Sequence, residues 1–246
     1  MNKKIIKKLS IVVPVFNEKG TIGQVIQDIQ NVPLQEGIEK ELIVVDDGSS
    51  DGTQDVLKKL DNQKNIRIFY HSDNRGKTYA VKFGLQQMTG DVVVIQDADL
   101  EYSPQNYPRL LDPILKGDAQ IVYGSRFLGS IKNMTIINRF ANTISNWTMN
   151  RLYGASMTDF HTCLKLFRRE ILEEVSIESQ KFSFDTEITA KLLAKGFQIK
   201  EVPIAYKARL RSQGKKITWL TALEAYGILW KVYFTKDVLK IKSRVY

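Results

Sequence analysis

Cysteine, histidine and long apolar runs are scarce in this chain: 246 residues carry one Cys and two His. Cys163 alone can form neither an internal disulfide nor a cysteine cluster for zinc, so the reducing cytosol is the expected compartment. With only His71 and His161, neither a histidine metal centre nor a His-based nucleophilic triad is expected. The opening MNKKIIKKLS has the charge of an export signal but only Ile5-Ile6 as its apolar part. The most apolar late stretch, Ile217 to Phe234, is interrupted by Glu224 and Lys231, and no membrane-spanning helix is read there. The loop VPVFNEKGT lacks the G-x-G-x-x-G that lets a backbone approach a dinucleotide pyrophosphate, which removes a dehydrogenase reading. No Pro/Gly/Ser-rich linker or internal repeat divides the chain. One domain over 1–216 is expected, with an amphipathic helix and basic tail over 217–246.

What is present reads as α/β. Short β-branched runs (SIVVPVF, ELIVVDD, IRIFYH, DVVVIQ, AQIVYGSR) alternate with helical patterns, and the runs are apolar on both faces, as in a mostly parallel sheet covered by helices. A long helix is expected over Ile136 to Tyr153, a short strand at LKLFRR, a helix over Asp185 to Lys195, and a strand at QIKEVPIAYK. The last helix, from Thr218, carries Trp219, Leu223, Tyr226, Trp230 and Phe234 at helical spacing, either to pack on the domain or to lie in a membrane interface. Thirty-six Lys and Arg against 27 Asp and Glu give +9. That balance favours a polyanionic partner.

Polar clusters fall at the carboxyl ends of the expected strands, where such sheets bind ligands. In VVVIQDADLE, alternate side chains of an extended chain share a face, so Asp97 and Asp99 can point at one cation, with Glu101 as a third hard oxygen ligand for Mg²⁺ or Mn²⁺. The plainer alternative is that these acids cap a turn. In IVVDDGSSDGT, Ser49, Asp51 and Thr53 read as turn and N-cap residues, which leaves Asp47 to accept from a base or ribose. Lys77, Arg126, Arg139, Arg209 and Lys215 stand at loop positions, and Arg209, Arg211, Lys215 and Lys216 cluster around one glycine in a loop suited to phosphate. Most of the other cations are expected to be solvated. Cys163 is read as a core residue in a strand.

The order VPVFNE, VVDDGSSDGT, GKTYAVKFGL, GDVVVIQDADLE, YGSRF, TDFHTCLKLFRRE, FSFDTEI, EVPIAYKAR and GKKI resembles family 2 glycosyltransferases of the GT-A fold. Within it, the order is similar to the polyprenyl-phosphate (dolichol-phosphate) mannosyl- and glucosyltransferase branch, over about residues 9 to 218. The resemblance implies that Pro14, Phe16, Glu18, Val45 and Asp47 line a nucleoside pocket and that Asp97, Asp99 and Glu101 hold the metal, with Ala98 near the diphosphate. It also implies that Arg126 and Arg139 face donor sugar and acceptor phosphate, while Arg209 and Lys215 belong to a loop closing over the donor. The expected activity is inverting transfer of a hexose from a GDP- or UDP-sugar to a polyprenyl (dolichyl or undecaprenyl) phosphate, peripherally at the cytoplasmic face of a membrane.

A lipid phosphate is already ionised near neutral pH and needs no strong base. A hydroxyl acceptor on a glycan or glycolipid would need one, with Asp159 and Glu187 as candidates. A nucleic-acid partner is not expected, because acidic strand ends repel phosphate. A non-catalytic nucleotide-sugar-binding subunit is the remaining alternative.

Overall fold

The computed structural model describes residues 5–61, 63–179, 183–209 and 219–235, without the side chains of 219–223. Lys215 and the 216/217 boundary lie outside the described residues. Along the chain run β1 (Lys8–Val15), α1 (Ile22–Asn31), β2 (Glu39–Asp46), α2 (Thr53–Lys58), β3 (Ile66–Tyr70), α3 (Lys77–Gln87) and β4 (Val92–Ile95). After a short 3₁₀ turn come α4 (Tyr107–Lys116), β5 (Ile121–Lys132), α5 (Ile136–Tyr153), β6 (Lys165–Arg168) and α6 (Arg169–Glu173). The described chain ends with α7 (Phe184–Ala194), β7 (Lys200–Lys207) and α8 (Trp219–Phe234).

Seven strands form one sheet in the order β3-β2-β1-β4-β6-β5-β7. β1 pairs in parallel with both β2 and β4, while β6 is antiparallel to β4 and β5. Consecutive residues of β1, β2 and β4 are buried, so both faces of the central sheet are covered, as a parallel sheet requires. The edge strand β7 departs from that expectation by alternating buried and exposed residues. Because β2 lies on one side of β1 and β4 on the other, the strand order reverses at β1. In open sheets of this kind, ligands bind in the crevice beyond the strand ends at such a reversal.

Three local expectations shift. Gly52, at φ 95°, takes the N-cap place of α2, and Thr53 is the first helical residue. Cys163 sits in a bend two residues before β6, buried but outside the strand. α8 packs on α7 with Leu229 and Val232 buried, although Trp230 and Phe234 stay exposed. Among the described residues, no helix is long and apolar enough to cross a membrane.

Candidate active site

The first wall of the crevice joins the ends of β1 and β2. The Ser49 hydroxyl accepts from the Asn17 amide, the Thr53 hydroxyl from the Glu18 amide, and Asp51 from the Lys19 and Thr53 amides. These residues fold the loops, as their types suggest. Asp46 is fully buried and accepts from the Ser49 amide and the Gln54 side chain. Asp47 is not left over for a nucleoside. It accepts from the Gly76 amide at 2.7 Å and the Arg75 amide at 3.1 Å, and it lies 3.0 Å from His71 Nδ1. It therefore pins the loop that opens α3 and thereby sets Lys77. Gly48, at φ 74°, lets this turn lie against the Asp73 backbone, which a Cβ would meet at 2.6 Å. Pro14 is buried and Phe16 half-buried at the end of β1. The Val45 side chain does not line an open pocket: it is fully buried beneath α3, near Gly84.

The second wall is the end of β4. Asp97 meets Lys77 Nζ at 2.6 Å. Burial pushes the Asp97 carboxyl up and the Lys77 ammonium down, but their mutual attraction outweighs both, leaving Asp97 below and Lys77 well above its ordinary range. Asp99 accepts from the Glu101 amide and lies 3.0 Å from Arg209 Nη2, which also donates to Glu18 at 2.8 Å. Glu101 accepts from the Tyr206 hydroxyl at 2.7 Å and the Arg209 amide at 2.6 Å. The Ala98 carbonyl accepts from the Thr21 hydroxyl at 2.9 Å, tying this turn to the start of α1.

The expected three-carboxylate metal site is therefore not assembled. Among the described residues no group of three Asp, Glu, His or Cys converges as a metal-holding cluster. The reason is electrostatic: Lys77 and Arg209 serve Asp97 and Asp99 as separate counter-ions, and Glu101 is tied to β7. The donor set still fits a hard cation that arrives with phosphate, since Mg²⁺ is usually held by one or two carboxylates, several waters and the phosphates of its substrate.

The third wall comes from β5, β6 and α7. Arg126, nearly buried on β5, donates through Nε and Nη2 to the two oxygens of fully buried Asp159, each at 2.7 Å, and reaches Asn142 at 3.3 Å. Asp159 is thus a partner of Arg126 and not a free base. Glu187 does not join this cluster either: it accepts from the Glu178 and Ser179 amides and pairs with Lys191 at 2.8 Å. Arg139 is exposed on α5 and pairs with no acid among the described residues.

The group missed in the sequence is Lys165 with Asp185. Lys165, fully buried in β6, lies 2.5 Å from Asp185 and donates to the Thr162 carbonyl. Burial pulls the Lys165 pKa down despite that partner. Asp185 also acts electrostatically on Lys77, Cys163 and His161, which places it beside the Asp97 pair. The available signal was its place two residues before Glu187: on a helix these positions face opposite ways, and one choice had to be wrong.

The sequence model of glycosyl transferase family 2 matches residues 10–176. A low-salt glycan biosynthesis hexosyltransferase of Haloferax volcanii is 31% identical over 204 residues, which is 82% of this chain and 48% of that protein. A dolichol-phosphate mannosyltransferase of Pyrococcus furiosus is 28% identical over 213 residues, 85% of this chain and 59% of that protein. An undecaprenyl-phosphate 4-deoxy-4-formamido-L-arabinose transferase of Pectobacterium carotovorum is 33% identical over 169 residues, 68% of this chain and 50% of that protein. The chain thus spans about half the length of the curated relatives it matches. The crystal structure of glucosyl-3-phosphoglycerate synthase from Mycobacterium tuberculosis with Mn²⁺, UDP and glucosyl-3-phosphoglycerate superposes with a TM-score of 0.72 at 21% identity, covering 92% of this chain and 80% of that one. That likeness establishes the fold as the expected one.

Proposed function

Because the chain belongs to glycosyl transferase family 2, we propose that it is a divalent-metal-dependent hexosyltransferase. In this reading it moves a sugar, with inversion, from a GDP- or UDP-hexose to a polyprenyl phosphate at the cytoplasmic face of a membrane. The observation that carries it is the convergence of Asp97, Asp99, Lys77 and Arg209 at the point where the strand order reverses. Two carboxylates and two cations in one crevice suit a nucleoside diphosphate that brings its own metal.

The acceptor oxygen attacks the anomeric carbon while the bond to the diphosphate oxygen breaks and that oxygen keeps the electron pair. When bound, Mg²⁺ or Mn²⁺ held by Asp97 and Asp99 would neutralise the leaving group. Lys77 and Arg209 supply further positive charge to the diphosphate once released from their carboxylates. Asp47 sets Lys77 through the Arg75 and Gly76 amides. A phosphate acceptor is supported by the engagement of both candidate bases, Asp159 with Arg126 and Glu187 with Lys191. The names of the Pyrococcus and Pectobacterium relatives support the same class.

One observation favours a hydroxyl acceptor as a second reading: among the described residues, Asp185 is held through one oxygen, by Lys165. Incubation with labelled GDP- and UDP-hexoses, Mn²⁺, and either polyprenyl phosphate or a glycolipid alcohol tests both readings. Labelled lipid phosphate is expected, with Asp185→Asn retaining most of the transfer. Transfer only to the alcohol, lost in Asp185→Asn, would overturn the phosphate acceptor, and no transfer from any donor would overturn the enzyme reading.

A further inference from the structure

α5 buries little apolar surface for an amphipathic helix: Met149 enters the core, with Leu152 and Tyr153 packed partly against it. The rest of its attachment is polar. Asn142 accepts from Arg126, Asn146 accepts from the Phe160 amide at 3.1 Å and also donates to the Thr158 carbonyl, and Asn150 bonds both the amide and carbonyl of Met157. These asparagines, four residues apart, pin one side of the helix to the body. The side away from buried Ser145 and Met149 is apolar and open: Ile136 is 85% exposed, Ile137 79%, Phe140 and Trp147 66% each, and Ile144 40%. At 100° per residue, Ile136, Phe140, Ile144 and Trp147 fall within a quarter of the circumference. Ordinary amphipathic helices bury such a stripe. This one presents it to solvent, a contiguous patch of the kind that marks an interaction site.

The charge on α5 identifies the partner. IINRFANTISNWTMNRLY contains no acid; Arg139 stands beside the stripe and Arg151 continues its line one turn beyond Trp147, both exposed. A second copy of this helix would bring arginines against arginines with no carboxylate on α5 to receive them. An anionic bilayer surface supplies both an apolar layer for the stripe and phosphates for the arginines, and Trp147 suits the boundary between them.

We propose that the outer face of α5 is the surface on which the protein lies against an anionic bilayer. Ile136, Ile137, Phe140, Ile144 and Trp147 enter the interface, and Arg139 and Arg151 meet lipid headgroups. α8 turns Leu229 and Val232 inward and leaves Trp230 and Phe234 exposed, so it serves as the comparison surface. Asn142 on the same helix touches Arg126, so seating α5 brings the Arg126 wall of the crevice to headgroup level, where a lipid phosphate would be presented. For that last step the inference rests on the lipid-phosphate reading; the surface itself does not depend on it.

The test is co-flotation of the full chain with vesicles of phosphatidylcholine alone or with phosphatidylglycerol. Wild-type protein is expected to float with the anionic vesicles. Phe140→Gln/Trp147→Gln is expected to lower the partition at least tenfold, since each change removes an aromatic side chain's apolar transfer. Arg139→Gln/Arg151→Gln is expected to lower it for anionic vesicles only, while Trp230→Gln/Phe234→Gln changes it less than twofold. The altered side chains are solvent-exposed, and circular dichroism checks that each variant is folded. Absence of wild-type flotation, unchanged flotation of Phe140→Gln/Trp147→Gln, or loss confined to the α8 variant overturns the proposal. So does a dimer in solution that the α5 variant dissolves without any vesicle binding. Transfer to a short, water-soluble polyprenyl phosphate in detergent is measured in parallel: flotation without transfer condemns the catalytic reading alone, and transfer without flotation condemns the α5 surface alone.

Discussion

Arg126 and Asp159 are almost removed from water and meet through two 2.7 Å contacts. Such a pair contributes little net stability because desolvation offsets attraction, yet breaking it strands a buried charge. Asp159→Asn is therefore expected to cost ~3–5 kcal/mol, read as a fall in the urea midpoint. Arg126→Met/Asp159→Leu should recover much of that loss. His161 lies close by, facing Arg126, Asp159, Asp185 and Lys165, and burial with the Arg126 charge pulls its pKa down to about 4. Its folded value lies below the unfolded one, so the unfolded chain binds the proton more readily. The contribution of neutral His161 is complete above about pH 6.5 and is lost as pH falls toward 4, with an upper bound of ~3 kcal/mol. Wild type should lose more thermal stability between pH 7 and pH 5 than His161→Gln does; equal losses would contradict the assignment. Neither relation was legible in the sequence. Arg126 and Asp159 stood out as single residues, but their pairing across 33 positions depends on how the Thr158-Asp159 turn is drawn against β5, where Glu201 holds its two amides.

Within the elements, α3 lies so close to the sheet that a Cβ at Gly84 would stand 2.5 Å from Val12 Cγ1 and 3.4 Å from Val45 Cγ2. In an open helix, Gly→Ala stabilises by about 1 kcal/mol. Here the stiff, β-branched Val12 cannot yield without moving β1, so Gly84→Ala is expected to destabilise by ~1–3 kcal/mol, checked by denaturant midpoint. The same closeness explains why Val45 is core. Strand and helix order was legible because β-branched runs and helical periodicity are local signals, and α5 falls on the expected Ile136 to Tyr153. Its orientation was not, since periodicity defines a stripe without saying which way it faces. The asparagines at 142, 146 and 150 help to set it, and they act through partners 7 to 16 residues away that only the fold brings into reach. For Asp185 and Glu187 the helix was read correctly, and so was the short strand at LKLFRR, but which acid turns toward Lys165 depends on how α7 lies against β6, which no local pattern states.

At the scale of the whole molecule, Arg209 joins three distant parts of the chain: Glu18 after β1, Asp99 and Glu101 after β4, and its own position after β7. Asp97 and Asp99 are thus neutralised from within, by Lys77 and Arg209, before any cation arrives. A divalent metal must displace part of that internal charge, so its affinity in the absence of nucleotide should be weak. A nucleoside diphosphate changes the balance, because its phosphates offer Lys77 and Arg209 new anions while adding oxygens for the metal. Metal and nucleotide should consequently bind with positive coupling, each raising the affinity of the other by the same factor. Arg209→Gln separates the two effects. It removes a competitor at Asp99, so Mn²⁺ alone should bind several-fold more tightly by calorimetry. It also removes a ligand of the diphosphate, so the coupling between Mn²⁺ and UDP or GDP, and the transfer rate, should both fall. If Mn²⁺ affinity in the absence of nucleotide were unchanged or weaker in this variant, Arg209 would not be a resident counter-ion of the Asp-x-Asp pair, and the loss of transfer would have to be explained by diphosphate contact alone.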